Sequence, residues 1–471
     1  MAVSKRLAFL IALGIPLVLL THWNSGAFFW LLVCLLVWLF DVIAAPSPRH
    51  LAITRSLPHT LRQRTETPYT VSVKNPTKRK FRAQIRDAWP PSLQALPRQQ
   101  RLTLDAQSST TLQASFTPQR KGTLRSDAVT VRSYGPLGLG ARQFSAPIVQ
   151  EVKVLPEFRS AKYLPSRLKT LRRLEGNSLV MQRGQGSEFD SLREYVPGDD
   201  VRDIEWHSSA RLRTPVVKTW RPERDRNVII CLDSSRSAAV RLDKYPRLDA
   251  SMEAALLLGA LAGSAGDRVH LIAFDNQIRF HIQPDRGVGL ITEMAQALAD
   301  LQVSLTEANW SGLSHTLLSG LRQRSLVVIL TGLEGGAERS GLMPMVEALS
   351  SRHHVLVANS LDPELTRLAQ LPGQWNLNDA KQSLSRFNPA DAFLAAAAMA
   401  ELNEHEEAGN LLPLLGGHLL NATPEKLPPN LADAYISLKR RGQILDAVYQ
   451  YGSISSGCLP MSWEDSSSTT P

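Results

Sequence analysis

The sequence predicts a multidomain chain: an N-terminal transmembrane helical hairpin, a β-sandwich-like domain, and an α/β doubly wound domain. Three observations carry this expectation. Two apolar runs lie close together at the start, Leu7 to Leu20 and Ala27 to Phe40, the second extending to Ala45. From residue 46 to 156, short alternating runs are split by Pro, Gly and Asn. After Arg226, apolar strand-like runs alternate with segments of helical spacing.

Each apolar run with its flanks approaches the roughly 20 residues that a spanning helix needs. The connector Thr21 to Gly26 contains no Lys or Arg, whereas Lys5 and Arg6 precede the first run and Arg49, Arg55, Arg62 and Arg64 follow the second. The positive-inside rule then puts both termini on the cytoplasmic side of the membrane, as a multi-pass protein with its soluble domains cytoplasmic. The competing reading is a cleaved signal peptide with Ser25 and Ala27 near the cut.

The β domain is expected from Tyr69-Thr-Val-Ser-Val73, Thr110 to Phe116 and Ala128 to Arg132, which alternate in the manner of half-buried strands. Gly122 suits a tight turn, and Pro136-Leu-Gly-Leu-Gly140 a sharp exit. Charge concentrates here. Between Pro46 and Gln150 there are 17 Lys/Arg against 4 Asp/Glu, a balance of +13 within a chain of +10, so the remainder sums to −3. That distribution argues against nucleic-acid binding by the whole chain and favours proximity to anionic lipid. The plainer alternative is a solvated basic surface. The three cysteines, Cys34, Cys231 and Cys458, fit no zinc spacing, which suggests reduced thiols.

The boundaries follow: 1–45 for the two helices, 46–156 for the basic β domain, 157–222 for a connector, 223–446 for the α/β domain and 447–471 for a Ser/Thr-rich disordered tail. The connector holds the most distinctive stretch, "GQGSEFDSLREYVPGDDVRDIEWHSSARLRTPVVKTW". Gly184 and Gly186 suggest a bent loop, and since no Gly-Lys-Ser/Thr follows, not a phosphate cradle. Residues 201–206 alternate with period two. The carboxylates Asp199, Asp200, Asp203 and Glu205 could serve as acid and base, which would make the chain a hydrolase. Such residues more often form Arg–carboxylate clamps that fix a loop. His207 adds nothing decisive.

In the α/β domain, strands are expected at Asn227 to Leu232, Arg268 to Phe274, Ile278 to Ile282, Leu326 to Thr331, His354 to Asn359 and Gly416 to Leu420. Helices are expected at Leu248 to Ala265, Gly287 to Leu301, Trp310 to Gln323, Met343 to Ser351, Ala390 to Gly409 and Leu431 to Leu445. Ligands of such sheets bind at the carboxyl ends of strands, where Asp233 falls. Asp233, Ser235 and Ser237 then form an Asp-x-Ser-x-Ser pattern of oxygen donors suited to Mg²⁺. Otherwise Ser235 and Ser237 simply cap the next segment.

Asp233-Ser-Ser-Arg-Ser237 resembles the first motif of the metal-ion-dependent adhesion site of von Willebrand factor A domains. "REYVPGDDVRDIEWHSSAR" resembles the signature of the bacterial domain of unknown function 58 family, and "PPNLADAYISLKRRGQIL" its closing helix. The resemblance implies a von Willebrand factor A-like domain and a non-enzymatic, membrane-anchored protein-interaction adaptor, often encoded beside a MoxR-type AAA+ ATPase. It also implies a metal set of Asp233, Ser235, Ser237 and Thr306 holding Mg²⁺ or Mn²⁺. Gly332 stands where that site would have an aspartate, and Glu334 is the nearest carboxylate, so weak binding is expected. The expected partners are the ATPase or its client and membrane lipid, not nucleic acid; the oligomeric state stays open. A structural envelope or lipid-binding membrane protein is the alternative, and a hydrolase is the weaker one.

Overall fold

The computed structural model describes residues 2–3, 5–21, 26–181, 188–197, 199, 201–221, 227–243, 245–283, 289–321, 323–333, 336–370 and 389–451. The chain divides into two compact units, Met1–Glu157 with Thr292–Gln302, and Phe158–Ile291 with Val303–Pro471.

The first unit begins with helices α1 (Lys5–Thr21) and α2 (Gly26–Ala44). A side chain in place of Gly14 would run into the Trp30 indole, so the two helices pack closely there. Among the described residues one helix, Gly26–His50 in extent, is long and apolar enough to cross a membrane, while Arg6–Pro16 is a shorter apolar helix. Many of their large side chains face outward, including Phe9, Leu13, Phe28 and Phe40. Asp41 near the end of α2 is fully buried. Its carboxylate accepts the backbone N–H groups of Leu137, Leu139 and Gly140 at 2.8, 2.7 and 2.8 Å. The Pro136–Gly140 turn therefore closes around Asp41, with Gly138 at φ +70° supplying the left-handed step.

Eight strands follow: β1 (Ala52–Ser56), β2 (Thr60–Arg62), β3 (Thr67–Lys74), β4 (Phe81–Asp87), β5 (Gln100–Leu104), β6 (Ser109–Phe116), β7 (Gly122–Tyr134) and β8 (Gly140–Leu155). One sheet runs β5-β4-β7-β8, with β2 and the two-residue strand Ala2–Val3 also paired to β8; the other runs β1-β3-β6. Alternation explains the fold. Phe81, Ala83 and Ile85 of β4 and Val129 and Val131 of β7 point into one core with Val71, Val73, Leu104 and Phe116. The intervening residues point to solvent, as a period-two strand requires.

In the second unit, α3 (Leu164–Met181) leads into the hairpin of β9 (Glu188–Glu194) and β10 (Val216–Arg221), which encloses α4 (Trp206–Leu212). The period-two reading of 201–206 is corrected here. Val201–Asp203 is a turn of 3-10 helix, and only Ile204 bridges a strand, at Val217. Ser209 decides the matter locally: its hydroxyl donates to the Glu205 carbonyl at 2.7 Å and accepts the Val216 N–H at 2.9 Å, pinning α4 against β10. Gly184, Gly186 and Asp200 lie outside the described residues.

The large sheet contains β11 (Asn227–Asp233), β12 (Arg268–Phe274), β13 (Ile278–Ile282), β14 (Leu326–Leu330), β15 (His354–Ser360) and β16 (Gly417–Ala422). Its order is β13-β12-β11-β14-β15-β16, parallel throughout except for the antiparallel edge strand β13. The helices along this part of the chain are α5 (Arg247–Ser264), α6 (Leu290–Asp300), α7 (Trp310–Gly320), α8 (Gly336–Ser350), α9 (Pro363–Ala369), α10 (Pro389–Leu414) and α11 (Leu427–Tyr451); α6 from Thr292 on belongs to the first unit. Ile229 and Cys231 pack with α7, α8 and α10, while α5 and α11 lie against the other face. Burial on both sides is why these strands read as unbroken apolar runs. It also pushes the Cys231 thiol up to about 12, so that cysteine is a packing residue.

Several expected helices have different bounds. The one placed at Gly287 starts at Leu290, the one placed at Met343 already starts at Gly336, and the one placed at Leu431 starts at Leu427. The helix from Trp310 ends at Gly320 rather than Gln323, and the one expected to end at Gly409 runs on to Leu414. Pro428 and Pro429 suit the first turn of α11, where no N–H partner is needed. The tail expected from 447 is helical to Tyr451, and residues beyond lie outside the described ones.

His270 and His281 meet across β12 and β13, with Nδ1 and Nε2 3.4 Å apart. Burial, then the neighbouring His281 and Arg268, lowers His270 from 6.5 to about 4, and burial lowers His281 as well. The unfolded chain then takes up protons that the folded chain refuses. Stability is whole above pH 6.5 and falls as the pH drops from there toward 4. Denaturant midpoints measured at neutral pH and at about pH 5 should therefore separate more for the wild type than for His270→Gln/His281→Gln. Equal separations would remove the pair as the cause.

Candidate functional site

The cluster forms where the central strand ends. Asp233 is the last residue of β11, in register with Phe274 of β12. The chain then turns, with the Ser234 N–H and hydroxyl both donating to the Phe274 carbonyl, at 2.8 and 3.0 Å. This turn brings Ser235 and Ser237 back over the carboxylate. The Ser235 N–H donates to Asp233 Oδ1 at 2.8 Å, and the Ser237 hydroxyl to Oδ2 at 2.5 Å.

A residue that sequence reasoning missed completes the cluster. Thr331, just past β14, donates its hydroxyl to the same Oδ2 at 2.6 Å. The Ser235 and Ser237 hydroxyls are 3.5 Å apart, as are those of Ser237 and Thr331. All four residues are buried, at 0 to 3% exposure. Position was the available signal, because adjacent parallel strands in register end beside one another, and the strand after Leu326 ends in a hydroxyl.

Thr306 is brought near by backbone. Its carbonyl accepts the Arg236 N–H at 2.9 Å, and the Ser304 N–H donates to the Ser234 carbonyl at 2.7 Å. Its half-buried hydroxyl lies 2.8 Å from that of Ser304. Gly332 is buried and offers no side-chain oxygen, and Glu334 lies outside the described residues. Arg247, 1% exposed, bonds the carbonyls of Ser237 and Ser360 at 2.9 and 3.0 Å and so fixes the back of the turn.

The donor set is oxygen only, with one carboxylate and several hydroxyls. That chemistry suits a hard cation and excludes soft-metal ligation at this point. Among the described residues no group of three His, Cys, Asp or Glu is placed to hold a metal ion. With three donors already on it, the Asp233 carboxylate is satisfied by protein alone.

The second candidate is the 188–221 module. Asp199 takes both ends of the Arg193 guanidinium, at 2.5 and 2.8 Å, and the Val196 N–H at 3.0 Å. The Arg193 hydrogen bonds, then that of Val196, hold its carboxyl below the usual range. Glu205 pairs with Lys218, which lowers its carboxyl likewise. Carboxylates held this way are poor proton acceptors and act as clamps. The apolar side chains between them turn outward, with Trp206 70% and Val201 and Leu212 each 60% exposed.

Uncharacterized proteins of Mycobacterium bovis and Mycobacterium tuberculosis are 28% identical over 237 residues, 48% of this chain and 72% of theirs. Among solved structures, a CARDB domain from Pyrococcus furiosus in complex with di-metal ions is 16% identical, covering 22% of this chain and 87% of its own, with a TM-score of 0.18. A complex of human zinc 2-glycoprotein and prolactin inducible protein gives 17%, 22%, 92% and 0.18. Residues 191–407, from within β9 into α10, match the family described as protein of unknown function DUF58.

Proposed function

We propose that this chain is a membrane-anchored, non-enzymatic protein-interaction adaptor that works with a MoxR-type AAA+ ATPase or its client at the cytoplasmic face of the membrane. The observation that carries this reading is the exposed apolar set Val196, Val201, Trp206 and Leu212 on the clamped 188–221 module. Exposed apolar clusters on a rigid frame are typical of protein-binding sites, and Trp is a frequent anchor there. The outward apolar side chains of α1 and α2 favour a transmembrane hairpin. The parallel sheet with Asp233 at its carboxyl edge favours a von Willebrand factor A-like domain from about 223 to 446. In this reading Asp233, Ser235, Ser237 and Thr306 hold Mg²⁺ or Mn²⁺ weakly, and a partner's acidic residue supplements them. The hydrolase alternative loses support because Asp199 and Glu205 are committed to Arg193 and Lys218.

The test uses the full chain in detergent and a purified MoxR-type ATPase from the same source, with and without Mg²⁺. Trp206→Ala/Leu212→Ala should weaken the complex by about tenfold or more while the melting temperature holds, since exposed side chains add little to folding. Unchanged binding would refute the surface. A reporter fused after Pro471 should behave as cytoplasmic, and periplasmic activity would overturn the tethering side.

A further inference from the structure

The outward face of the larger sheet in the first unit contains a cleft of about 300 Å³ lined by Gln84, Arg86, Gln99, Thr130, Arg132 and Gln143. Register explains how these residues meet. Arg86 pairs with Thr130 and Gln84 with Arg132 across β4 and β7. Arg132 pairs with Gln143 across β7 and β8, and Gln84 with Arg101 across β4 and β5. Because paired residues of an antiparallel ladder share a face, all of these side chains stand on the side away from the core. Arg86 and Arg132 are diagonal neighbours, about 7–8 Å apart at their backbones, a separation that two long side chains can close onto one group.

The amides are already arranged. Gln84 Nε2 donates to Gln99 Oε1 at 2.7 Å, the Tyr134 hydroxyl donates to Gln84 Oε1 at 2.7 Å, and Arg132 Nε donates to Gln143 Oε1 at 2.7 Å. The last bond orients the Arg132 fork and leaves its terminal nitrogens without a partner among the described residues. The Arg86 guanidinium enters no hydrogen bond or ion pair among them. No carboxylate lines the cleft. The nearest in sequence, Asp87, is turned inward to Arg55.

We propose that this cleft is a binding site for a phosphate-bearing polar group. Two guanidinium forks give the planar donor pairs that phosphate oxygens take up, and the glutamine amides suit hydroxyls attached to the same group. A merely solvated basic surface would have acids interspersed and would not need its amides bonded into a frame. The phosphate can belong to a lipid headgroup or to a free metabolite, and both satisfy the same donors. The site is independent of the adaptor reading and of any metal at Asp233.

Calorimetric titration of the detergent-solubilised full chain distinguishes the outcomes. The probes are glycerol 3-phosphate, dihexanoyl phosphatidylglycerol and a tetraglutamate peptide. Arg86→Gln/Arg132→Gln should lose about tenfold or more in affinity for the phosphate probes, as expected when bidentate charge-assisted contacts are removed. Lys78→Gln/Arg120→Gln removes the same charge elsewhere on the exposed surface and should bind as the wild type does. Arg132→Lys keeps the charge without the fork and should fall between. Binding of glycerol 3-phosphate supports the site with a free source sufficient; binding of the lipid alone supports it with a headgroup as the source. Absence of phosphate binding, equal losses in the two double variants, or tighter binding of tetraglutamate would each overturn the proposal. The substituted positions are exposed, so melting temperatures should match and folding should not confuse the comparison.

Discussion

Arg55→Met is expected to destabilise the first unit by about 3–5 kcal/mol, the usual cost of removing one partner from a buried ion pair. The Arg55 side chain is fully buried and Asp87 nearly so, at 0 and 10% exposure. Arg55 starts on β1 of the smaller sheet and reaches into the larger one. Its Nη1 donates to the Ile148 carbonyl at 2.9 Å. Its Nη2 donates to Asp87 Oδ1 at 2.5 Å, Ser126 Oγ at 2.7 Å and the Ala128 carbonyl at 3.1 Å. The guanidinium also lies 5.0 Å from the Trp89 ring centre, and Trp89 Nε1 donates to the other Asp87 oxygen at 2.9 Å. Methionine fills much of the same volume, so packing loss is limited and the stranded Asp87 charge dominates. Hydrogen exchange of the β4 and β7 segments in the full chain measures the effect. Arg55→Met/Asp87→Leu should recover much of the loss, because removing both charges leaves none uncompensated. A loss below about 1 kcal/mol in the single variant would mean that Asp87 finds water instead.

Nothing in the sequence marks Arg55 as a staple. It stands among 17 Lys/Arg of a basic stretch, and its partners lie 32 to 93 residues away. The same distance in sequence hides Thr331, which is 98 residues from Asp233. What was legible is local. The run Asn227 to Leu232 is a strand because both its faces are buried, and it ends at Asp233 because polar residues begin there. Period-two patterns held on β3, β6 and β7, where a core lies on one side. The same pattern misled at 201–206, where Ser209 and the β10 backbone impose a turn and a helix. Charge balance was readable from composition, yet the alignment of Arg86 and Arg132 on one face depends on register between strands far apart in the chain.

Asp233→Ala should destabilise the second unit by about 3 kcal/mol, because it strands the Ser235 N–H and leaves two buried hydroxyls to find other acceptors. Those hydroxyls have partial outlets. Thr331 can turn to the Gly332 carbonyl at 3.3 Å, and Ser237 to Ser235, so the loss stays below the sum of three stranded donors. Asp233→Asn should be no gentler, since one oxygen becomes an NH₂ that faces existing donors. Thr331→Val removes one donor and keeps the shape, so it should cost about 1–2 kcal/mol. These losses are expected in the absence of any divalent ion, which separates the hydrogen-bonded role of Asp233 from cation binding. The cation adds its own signature. An ion that binds only the folded chain stabilises it by RT ln(1 + [L]/Kd), about 1.4 kcal/mol at a tenfold excess over Kd. With a single carboxylate, Kd for Mg²⁺ should be on the order of millimolar, as at weak oxygen sites. Gly332→Asp is designed to place a second carboxylate beside Thr331. That variant should bind Mg²⁺ and Mn²⁺ more tightly than the wild type. Its apo form should be the less stable of the two, because two carboxylates would share one buried edge. If the melting temperatures of both proteins ignore millimolar Mg²⁺ and Mn²⁺ while Asp233→Ala still loses stability, the cluster is a hydrogen-bonded end to β11, and partner binding must rest on the Trp206 surface.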